Sequence, residues 1–186
     1  MQTDDKPLPK ILLHCCCAPC ASYVLECLTP QYNVSLLFYN PNIEPQAEHE
    51  KREKEIARLL EKASLLSSVD VIDCDYDNAA FENVTLSLRD EPEGGLRCNA
   101  CFELRLRETA RRAQTGKYDV FGTTLTVSPH KNANLINEIG NKLAKEYHVE
   151  YLQSDFKKNN GYKRSAELSK QYGLYRQNYC GCVLNE

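Results

Sequence analysis

The chain contains the stretch KILLHCCCAPC at residues 10–20, in which an apolar run leads into a group of cysteines. The apolar run predicts a buried β-strand over residues 10–17, and Pro19 suits the first turn of a helix over residues 19–28. The cysteines therefore fall where a strand passes into a helix. Because backbone N–H groups and the helix dipole favour thiolates at a helix start, this turn is a candidate metal site.

Apolar runs and amphipathic segments alternate along the rest of the chain. Further strands are predicted over residues 34–39, 69–73, 118–126 and 149–154. Further helices are predicted over residues 46–63, 81–88, 98–115, 132–147 and 162–172. This alternation predicts a single α/β domain over residues 1–186, with a mainly parallel five-stranded sheet and helices on both faces. Ligands bind such sheets at the carboxyl ends of the strands, which is where most of the cysteines fall.

Composition indicates a reducing compartment. The 186 residues include ten cysteines, and the N-terminal segment MQTDDKPLPK lacks the apolar run of a signal peptide. We therefore expect a cytoplasmic location, where clustered thiols more often indicate metal or redox chemistry than disulfide bonds. No apolar stretch approaches the roughly 18 residues of a membrane span, so no membrane partner is expected.

The net charge of -3 does not by itself indicate a nucleic-acid partner. The local charge is more informative, because the segment 157–176 contains six basic residues and one acidic residue, Glu167. The six are Lys157, Lys158, Lys163, Arg164, Lys170 and Arg176. This segment predicts a basic surface, with ordinary solvated helix faces as the alternative.

Three groups of closely spaced cysteines are the candidate metal ligands. Two are CxxC pairs near predicted helix starts, and the third is a CGC near the C-terminus. Strand alternation predicts that Cys16 faces away from Cys15 and Cys17. Cys15 is ambiguous, whereas Cys27 and Cys74 are expected to be isolated core or surface residues. The predicted ligands are Cys16, Cys17, Cys20, Cys98, Cys101, Cys180 and Cys182.

The number and spacing of these thiols narrow the choice of metal. One structural zinc uses four ligands in closely spaced pairs, whereas seven candidates are spread over the chain here. Four thiolates suit a [4Fe-4S] cluster, and the remaining three suit a second metal, iron, with an open position for substrate. No GxGxxG fingerprint for a nicotinamide cofactor is present, so an external electron donor is expected.

Several motifs in one order resemble the QueH family of epoxyqueuosine reductases. They are HCCCAPC (14–20), YNPNI (39–43), LRCNAC (96–101), TTLTVSPHK (123–131), DFKK (155–158) and YRQNYCGC (175–182). The resemblance implies the last step of queuosine synthesis, which is the two-electron reduction of an epoxide to an alkene in the wobble nucleoside of tRNA, without cobalamin. The implied partners are tRNA that carries epoxyqueuosine and an unidentified donor, either a reductase or a ferredoxin- or flavodoxin-like protein.

The resemblance also implies kinship with the adenine-nucleotide α-hydrolase-like, or Rossmann-like, folds. In the ATP-using relatives the first strand leads into a phosphate loop rich in serine and glycine. Here the strand leads into His14 and three cysteines, whose side chains are unsuited to cradling a pyrophosphate. We therefore expect no use of ATP, and a metal pocket in place of the nucleotide pocket.

The implied reaction needs two electrons, two protons and an acceptor for the departing oxygen, which a metal with a free coordination site provides. The predicted cluster ligands are Cys16, Cys17, Cys98 and Cys101, and the predicted ligands of the second metal are Cys20, Cys180 and Cys182. Exchanging Cys17 with Cys20 fits the sequence equally well. Asp155 is a further candidate to complete either site.

The remaining candidates are proton donors and substrate contacts. His130 and Lys131 follow the fourth strand and are predicted to transfer protons or contact phosphate, and His14 is a third candidate proton donor. Tyrosines are predicted to stack on a splayed base, with core packing as the alternative for each ring. The substrate candidates are Tyr39, Asn40, Lys157, Lys158, Tyr175, Arg176 and Tyr179.

Two other functions are compatible with the cysteine pattern. One is a thiol oxidoreductase that works without metal. The other is a zinc-stabilised RNA-binding module whose segment 157–176 binds phosphate groups of the RNA.

Overall fold

The strands of the computed structural model lie side by side in one parallel sheet. β1 (Lys10–His14) is central, between β2 (Asn33–Leu37) and β4 (Val120–Thr123). β3 (Val69–Ile72) and β5 (Glu150–Tyr151) lie at the two edges, so the order is β3-β2-β1-β4-β5. All four pairings are parallel, which confirms the predicted α/β class and sheet and is consistent with a Rossmann-like fold.

Six α-helices connect and cover these strands within residues 7–65, 67–72 and 74–183, the part of the chain that the structure describes. They are α1 (Ala18–Leu28), α2 (Gln46–Lys62), α3 (Asn78–Thr85), α4 (Leu96–Thr115), α5 (Ala133–Tyr147) and α6 (Gly161–Gln171). Two short 3₁₀ turns, Leu86–Leu88 and Leu125–Val127, follow α3 and β4. None of the described helices is both long and apolar enough to span a bilayer.

Alternate residues of β1 enter two cores, one on each face of the sheet. Ile11 and Leu13 pack with apolar residues of α1 and α2. Leu12 packs with Phe121 of β4 and with apolar residues of α4 and α5 on the opposite face. Because both faces are buried, the central strand reads as a continuous apolar run in the sequence.

β1 ends at His14, three residues earlier than predicted. The next backbone groups bind partners outside a regular ladder: Cys15 O accepts from Asn40 Nδ2 at 2.8 Å, and Cys16 N donates to Thr124 Oγ1 at 3.2 Å. The alternation predicted for the cysteines is therefore wrong. Cys16 and Cys17 lie in the same core, and Cys15 lies in the other.

The later strands are also shorter than predicted, whereas the helices agree closely. β4 ends at Thr123 because the chain enters a 3₁₀ turn, and β5 is a two-residue edge strand. β2 ends at Leu37, and Asp73 at the end of the predicted third strand lies outside the described residues. Cys27 and Cys74 are half-buried beside the two cores, as expected.

Gly140 in α5 allows close packing between this helix and β5. A Cβ atom at Gly140 would lie 2.3 Å from the ring of Tyr151. That ring is held by Phe121, at 5.1 Å between centroids, and by a hydrogen bond from its hydroxyl to Asn137 Oδ1.

Gly140→Ala is expected to lower the free energy of unfolding by about 1–3 kcal/mol, because the ring cannot move away without losing these contacts. Helix propensity alone would raise it by about 1 kcal/mol. In a Tyr151→Leu background the same change should become neutral or stabilising. Urea denaturation of the four proteins measures both effects, and stabilisation by Gly140→Ala in the unchanged background would contradict the packing argument.

Candidate metal centre

Seven cysteine side chains from three distant parts of the chain line one cavity of about 800 Å³. We call it the thiol cavity. It lies where the chain leaves the carboxyl ends of β1 and β4, and the starts of α1 and α4 and the C-terminal segment complete it. The seven are the predicted ligands Cys16, Cys17, Cys20, Cys98, Cys101, Cys180 and Cys182. No disulfide joins any of the ten cysteines, all of which lie in the described part of the chain.

Cys16, Cys17 and Cys20 form the three-thiol group, whose sulfur atoms all lie within 4.8 Å of one another. The sulfur atoms of Cys16 and Cys17 are 3.8 Å apart. The turn that ends β1 brings these two together, and Pro19 in the first turn of α1 sets the direction that presents Cys20. Among the described residues, no other group of three or more cysteine, histidine, aspartate or glutamate side chains has its ligand atoms within 4.8 Å of one another.

Cys15 is turned away from this group. Its side chain is fully buried in the core of the α1 and α2 face, and its thiol points to Cys17 O at 3.6 Å. Burial raises the pKa of the Cys15 thiol well above its usual value. Cys15 therefore does not join the thiols that line the cavity.

Within the three-thiol group, Cys16 is the thiol that ionises first. Side-chain hydrogen bonds with Cys17 and Cys20 hold the pKa of Cys16 well below its usual value. Their hydrogen bonds with Cys16 raise the pKa of Cys17 to about 12 and raise the pKa of Cys20. Thr124 Oγ1 lies 3.4 Å from the Cys16 sulfur and holds it in place. Cys16 is therefore the thiol of this group that gives up its proton most readily to a metal ion.

Cys98, Cys101, Cys180 and Cys182 form the four-thiol group. Cys101, Cys180 and Cys182 share a small apolar cluster with Phe81, and the Cys98 sulfur accepts a hydrogen bond from Gly94 N at 3.2 Å. Burial raises the pKa of Cys101, and nearby Cys180 and Cys98 raise it further. Cys98 and Cys180 therefore lie close enough to Cys101 to affect its charge.

A sharp bend at Gly181 presents the last two thiols of the four-thiol group. Gly181 has φ +115°, which favours glycine, and a Cβ atom there would lie 2.7 Å from Ile43 Cγ1. Its carbonyl accepts from Glu44 N at 2.8 Å. The bend is thus packed closely against the loop that precedes α2.

Arg52 of α2 anchors this C-terminal segment. Its guanidinium donates to Cys180 O at 3.1 Å and to Tyr179 O at 3.3 Å, and it pairs with Glu48 at 2.7 Å. The side chain is 2% exposed. The hydroxyl of Tyr179 donates to Glu44 O at 2.6 Å, and that of Tyr175 donates to Glu48. Both tyrosines therefore help to dock the segment.

Positive charge surrounds the thiol cavity although the whole chain has a net charge of -3. The cationic side chains that line it are Arg52, Arg97, Arg105, Lys131 and Arg176. Among the described residues Glu93 is the one acidic side chain in the lining. Such surroundings favour thiolates and anionic ligands. The three buried arginines, Arg52, Arg97 and Arg105, line the cavity but were not among the predicted site residues.

Five of the other predicted residues line the thiol cavity. They are Asn40, His130, Lys131, Arg176 and Tyr179. His14 lies outside the lining and is fully buried. Burial, with a smaller effect of Arg105, lowers the pKa of His14 to about 3. The neutral ring donates from Nε2 to Tyr39 O at 3.2 Å and accepts at Nδ1 from Thr123 at 3.0 Å.

Five of the other predicted residues also lie outside the cavity: Tyr39, Asp155, Lys157, Lys158 and Tyr175. Tyr39 packs beside Cys74 at the edge of the α4 and α5 core, where burial raises its pKa to about 12. Asp155 pairs with Lys157 at 3.0 Å and with Lys158 at 3.6 Å, beside a separate cavity of about 320 Å³. Arg164 pairs with Glu26, so several charges of the basic segment are already compensated.

The fold and this site define a class of protein: a Rossmann-like α/β protein with a thiol-lined cavity at the carboxyl edge of its sheet. The family profile "Epoxyqueuosine reductase QueH" matches residues 11–186. Proteins named "Epoxyqueuosine reductase QueH" from Staphylococcus epidermidis and Thermotoga maritima are 47% and 35% identical to this chain. The matches cover 96% and 94% of this chain and 77% and 89% of those proteins.

A protein of the same name from Streptococcus pyogenes is 44% identical, over 94% of this chain and 69% of its own length. The chain belongs to the QueH family of epoxyqueuosine reductases. The resemblance of its motifs is thereby confirmed, and so is the predicted enzyme class, an oxidoreductase.

Arg52→Lys is expected to loosen the C-terminal segment, because lysine keeps a charge for Glu48 but cannot donate in the same fork to both carbonyls. Cys180 should then react several-fold faster with iodoacetamide in chelator-treated protein, while Cys27 reacts at its former rate. Mass spectrometry of the alkylated peptides measures both rates. Arg58→Lys, at a 47% exposed side chain of the same helix, is the matched control. Equal Cys180 rates in all three proteins would contradict the anchoring role.

Proposed function

We propose that this chain reduces the epoxide of epoxyqueuosine to the alkene of queuosine in the wobble nucleoside of tRNA. The observation that supports this most is the convergence of seven thiols in one cation-lined cavity, in a member of this family. The cavity, at about 800 Å³, lies in the size range that accommodates a nucleoside-sized ligand. The reaction consumes two electrons and two protons and releases the epoxide oxygen as water.

The thiols fit the metals that the reaction needs. Soft thiolate ligands select iron–sulfur clusters and soft or borderline metal ions. Two sulfur atoms bound to one tetrahedral metal ion at ~2.3 Å lie about 3.8 Å apart. The Cys16 and Cys17 sulfurs already have this spacing, at 3.8 Å, with Cys20 close by.

This proximity supports a partition that differs from the one predicted. We assign an iron ion with an open position to the three-thiol group and a [4Fe-4S] cluster to the four-thiol group. The predicted partition had combined Cys16 and Cys17 with Cys98 and Cys101. When bound, these groups supply single electrons and a Lewis acid for the epoxide oxygen.

Side chains of the cavity perform the remaining tasks. Lys131 and His130 line the cavity and are exposed or half-buried, so they can exchange protons with water and deliver both protons to the epoxide oxygen, which leaves as water. Arg176 at the same lining can bind a phosphate of the substrate. His14 and Asp155 lie outside the lining, so their proposed part is to position backbone and loops and not to transfer protons.

The proposal covers the whole chain as one catalytic domain that works in the cytoplasm. Electrons come from an external protein donor, either a reductase or a ferredoxin- or flavodoxin-like protein. ATP is not required, because the turn after β1 presents thiols where the ATP-using relatives have a phosphate loop.

Anaerobically purified protein with a chemical reductant is expected to convert epoxyqueuosine in tRNA to queuosine, detected by mass spectrometry of the digested RNA. The protein should be brown and contain roughly five irons per chain. Metal-free protein with full activity would instead support the thiol oxidoreductase. Colourless, inactive protein with one zinc that binds RNA would support the RNA-binding module.

Serine substitutions are expected to separate the two metal sites. Cys101→Ser should abolish the visible absorbance of the cluster, whereas Cys16→Ser should keep most of it and lose about one iron per chain. Both should lose more than 100-fold in activity, because each removes an essential centre. Cys15→Ala, which changes the neighbouring buried thiol, should leave iron content unchanged. Loss of absorbance in Cys16→Ser would support the predicted partition instead.

A further inference from the structure

Tyr162 stands out among the aromatic residues of the chain. Of all eleven tyrosines and five phenylalanines, it is the one whose side chain is exposed, at 42%. It is also part of the lining of the thiol cavity. An exposed ring in the lining of a ligand-sized cavity presents an aromatic face to whatever enters the cavity.

Arg176 lies over this ring, with its guanidinium carbon 6.0 Å from the ring centroid. Arg176 is exposed and lines the same cavity. The pair therefore combines a flat aromatic face with a cation that is able to bind phosphate. Bases of single-stranded RNA are recognised by this combination, because every base has a π-face and every nucleotide a phosphate.

The ring is mounted on a rigid part of the fold. Gly161 begins α6 in close contact with its neighbours, since a Cβ atom there would lie 1.8 Å from Phe156 O and 2.4 Å from the ring of Tyr23. Arg164 in the next turn binds Glu26 of α1 through two hydrogen bonds of 3.0 and 2.7 Å.

α1 is also the helix that presents Cys20. The packing of α6 on α1 therefore fixes the distance between the Tyr162 ring and the three-thiol group. The ring lies at the lip of the cavity, whereas two of these three thiols are buried. A nucleoside whose modified group reaches the thiols would leave its neighbour in the RNA chain near the lip.

We propose that Tyr162 and Arg176 form a stacking platform for the base that flanks the reacting nucleoside. This inference rests on the proposed function for the identity of the RNA, and it assigns a binding role to Tyr162 that neither the motifs nor the thiol chemistry indicated. Tyr162 supplies stacking, and Arg176 supplies contact with the adjacent phosphate.

Binding of a fluorescein-labelled anticodon stem–loop RNA with guanosine at the wobble position tests the platform without chemistry. Tyr162→Leu, in holoprotein, is expected to weaken binding about 5- to 150-fold, because it removes one base–aromatic stack. Tyr162→Phe keeps the ring and should bind within about 2-fold of the unchanged protein. Iron content and the unfolding midpoint should not change, since an exposed side chain contributes little to the fold.

The salt dependence of binding separates the two members of the platform. Arg176→Gln should reduce the slope of log Kd against log salt by about 0.7, the effect of one lost phosphate contact in a single strand. Tyr162→Leu should leave the slope unchanged. Arg111→Gln, at a 51% exposed arginine in the C-terminal half of α4, is the control and should not alter the slope.

The outcomes distinguish the platform from the proposed function. The platform is overturned if Tyr162→Leu binds the RNA as tightly as the unchanged protein does. It is also overturned if Tyr162→Phe loses as much affinity as Tyr162→Leu. A failure of the unchanged protein to bind the stem–loop also overturns it. Weakened binding in Tyr162→Leu, together with no epoxide reduction by the unchanged protein, supports the platform and overturns the proposed reaction.

Discussion

The parallel pairing of β1 with β2 and β4 is the constraint on which the site depends. His14 is in register with Leu37 of β2 and Thr123 of β4, so all three strands end at the same level. Residues that follow in sequence must then meet at one edge of the sheet, including Cys16 and the Thr124 hydroxyl that holds it. An antiparallel partner would send its following loop to the opposite edge. Register therefore creates the place where distant thiols converge.

Buried arginines make this convergence electrostatically tolerable. Arg52, Arg97 and Arg105 are all at most 4% exposed and line the cavity beside the thiols. Each also binds backbone carbonyls: Arg105 donates to Cys101 O at 3.2 Å, and Arg97 donates to Arg89 O at 2.7 Å. A buried cation is costly without partners, and backbone carbonyls, together with Glu48 for Arg52, provide them. Arg52 and Arg105 thus bind carbonyls of cysteines in the lining and place positive charge beside the thiols.

The general architecture could be predicted because each strand and helix has its own local signal. The run ILLH predicts a strand buried on both faces, and the seven candidate thiols follow from closely spaced cysteine motifs. The direction of each thiol could not be predicted, since it depends on where β1 ends. That end is set by Asn40 and Thr124, which are 25 and 108 residues from their respective partners Cys15 and Cys16. Local alternation carries no information about such bonds.

Charge was the least predictable property of the site. The basic run near Lys157 and Arg164 suggested a binding surface, but Asp155 and Glu26 compensate much of its charge. The cavity instead takes its cations from α2, α4 and loops far apart in sequence. Arg52 and Arg105 each occur in helices with many charged residues, where an arginine is expected to be an ordinary solvated side chain. Only the folded chain brings them beside the thiols.

Diffraction from anaerobically grown crystals, with anomalous maps on both sides of the iron absorption edge, tests the central claim most directly. The convergence of thiols predicts iron density inside the cavity, in contact with sulfur atoms from the turn after β1, the start of α4 and the C-terminal segment. An ordered cavity without iron, with these sulfur atoms joined to one another in disulfides, would contradict it.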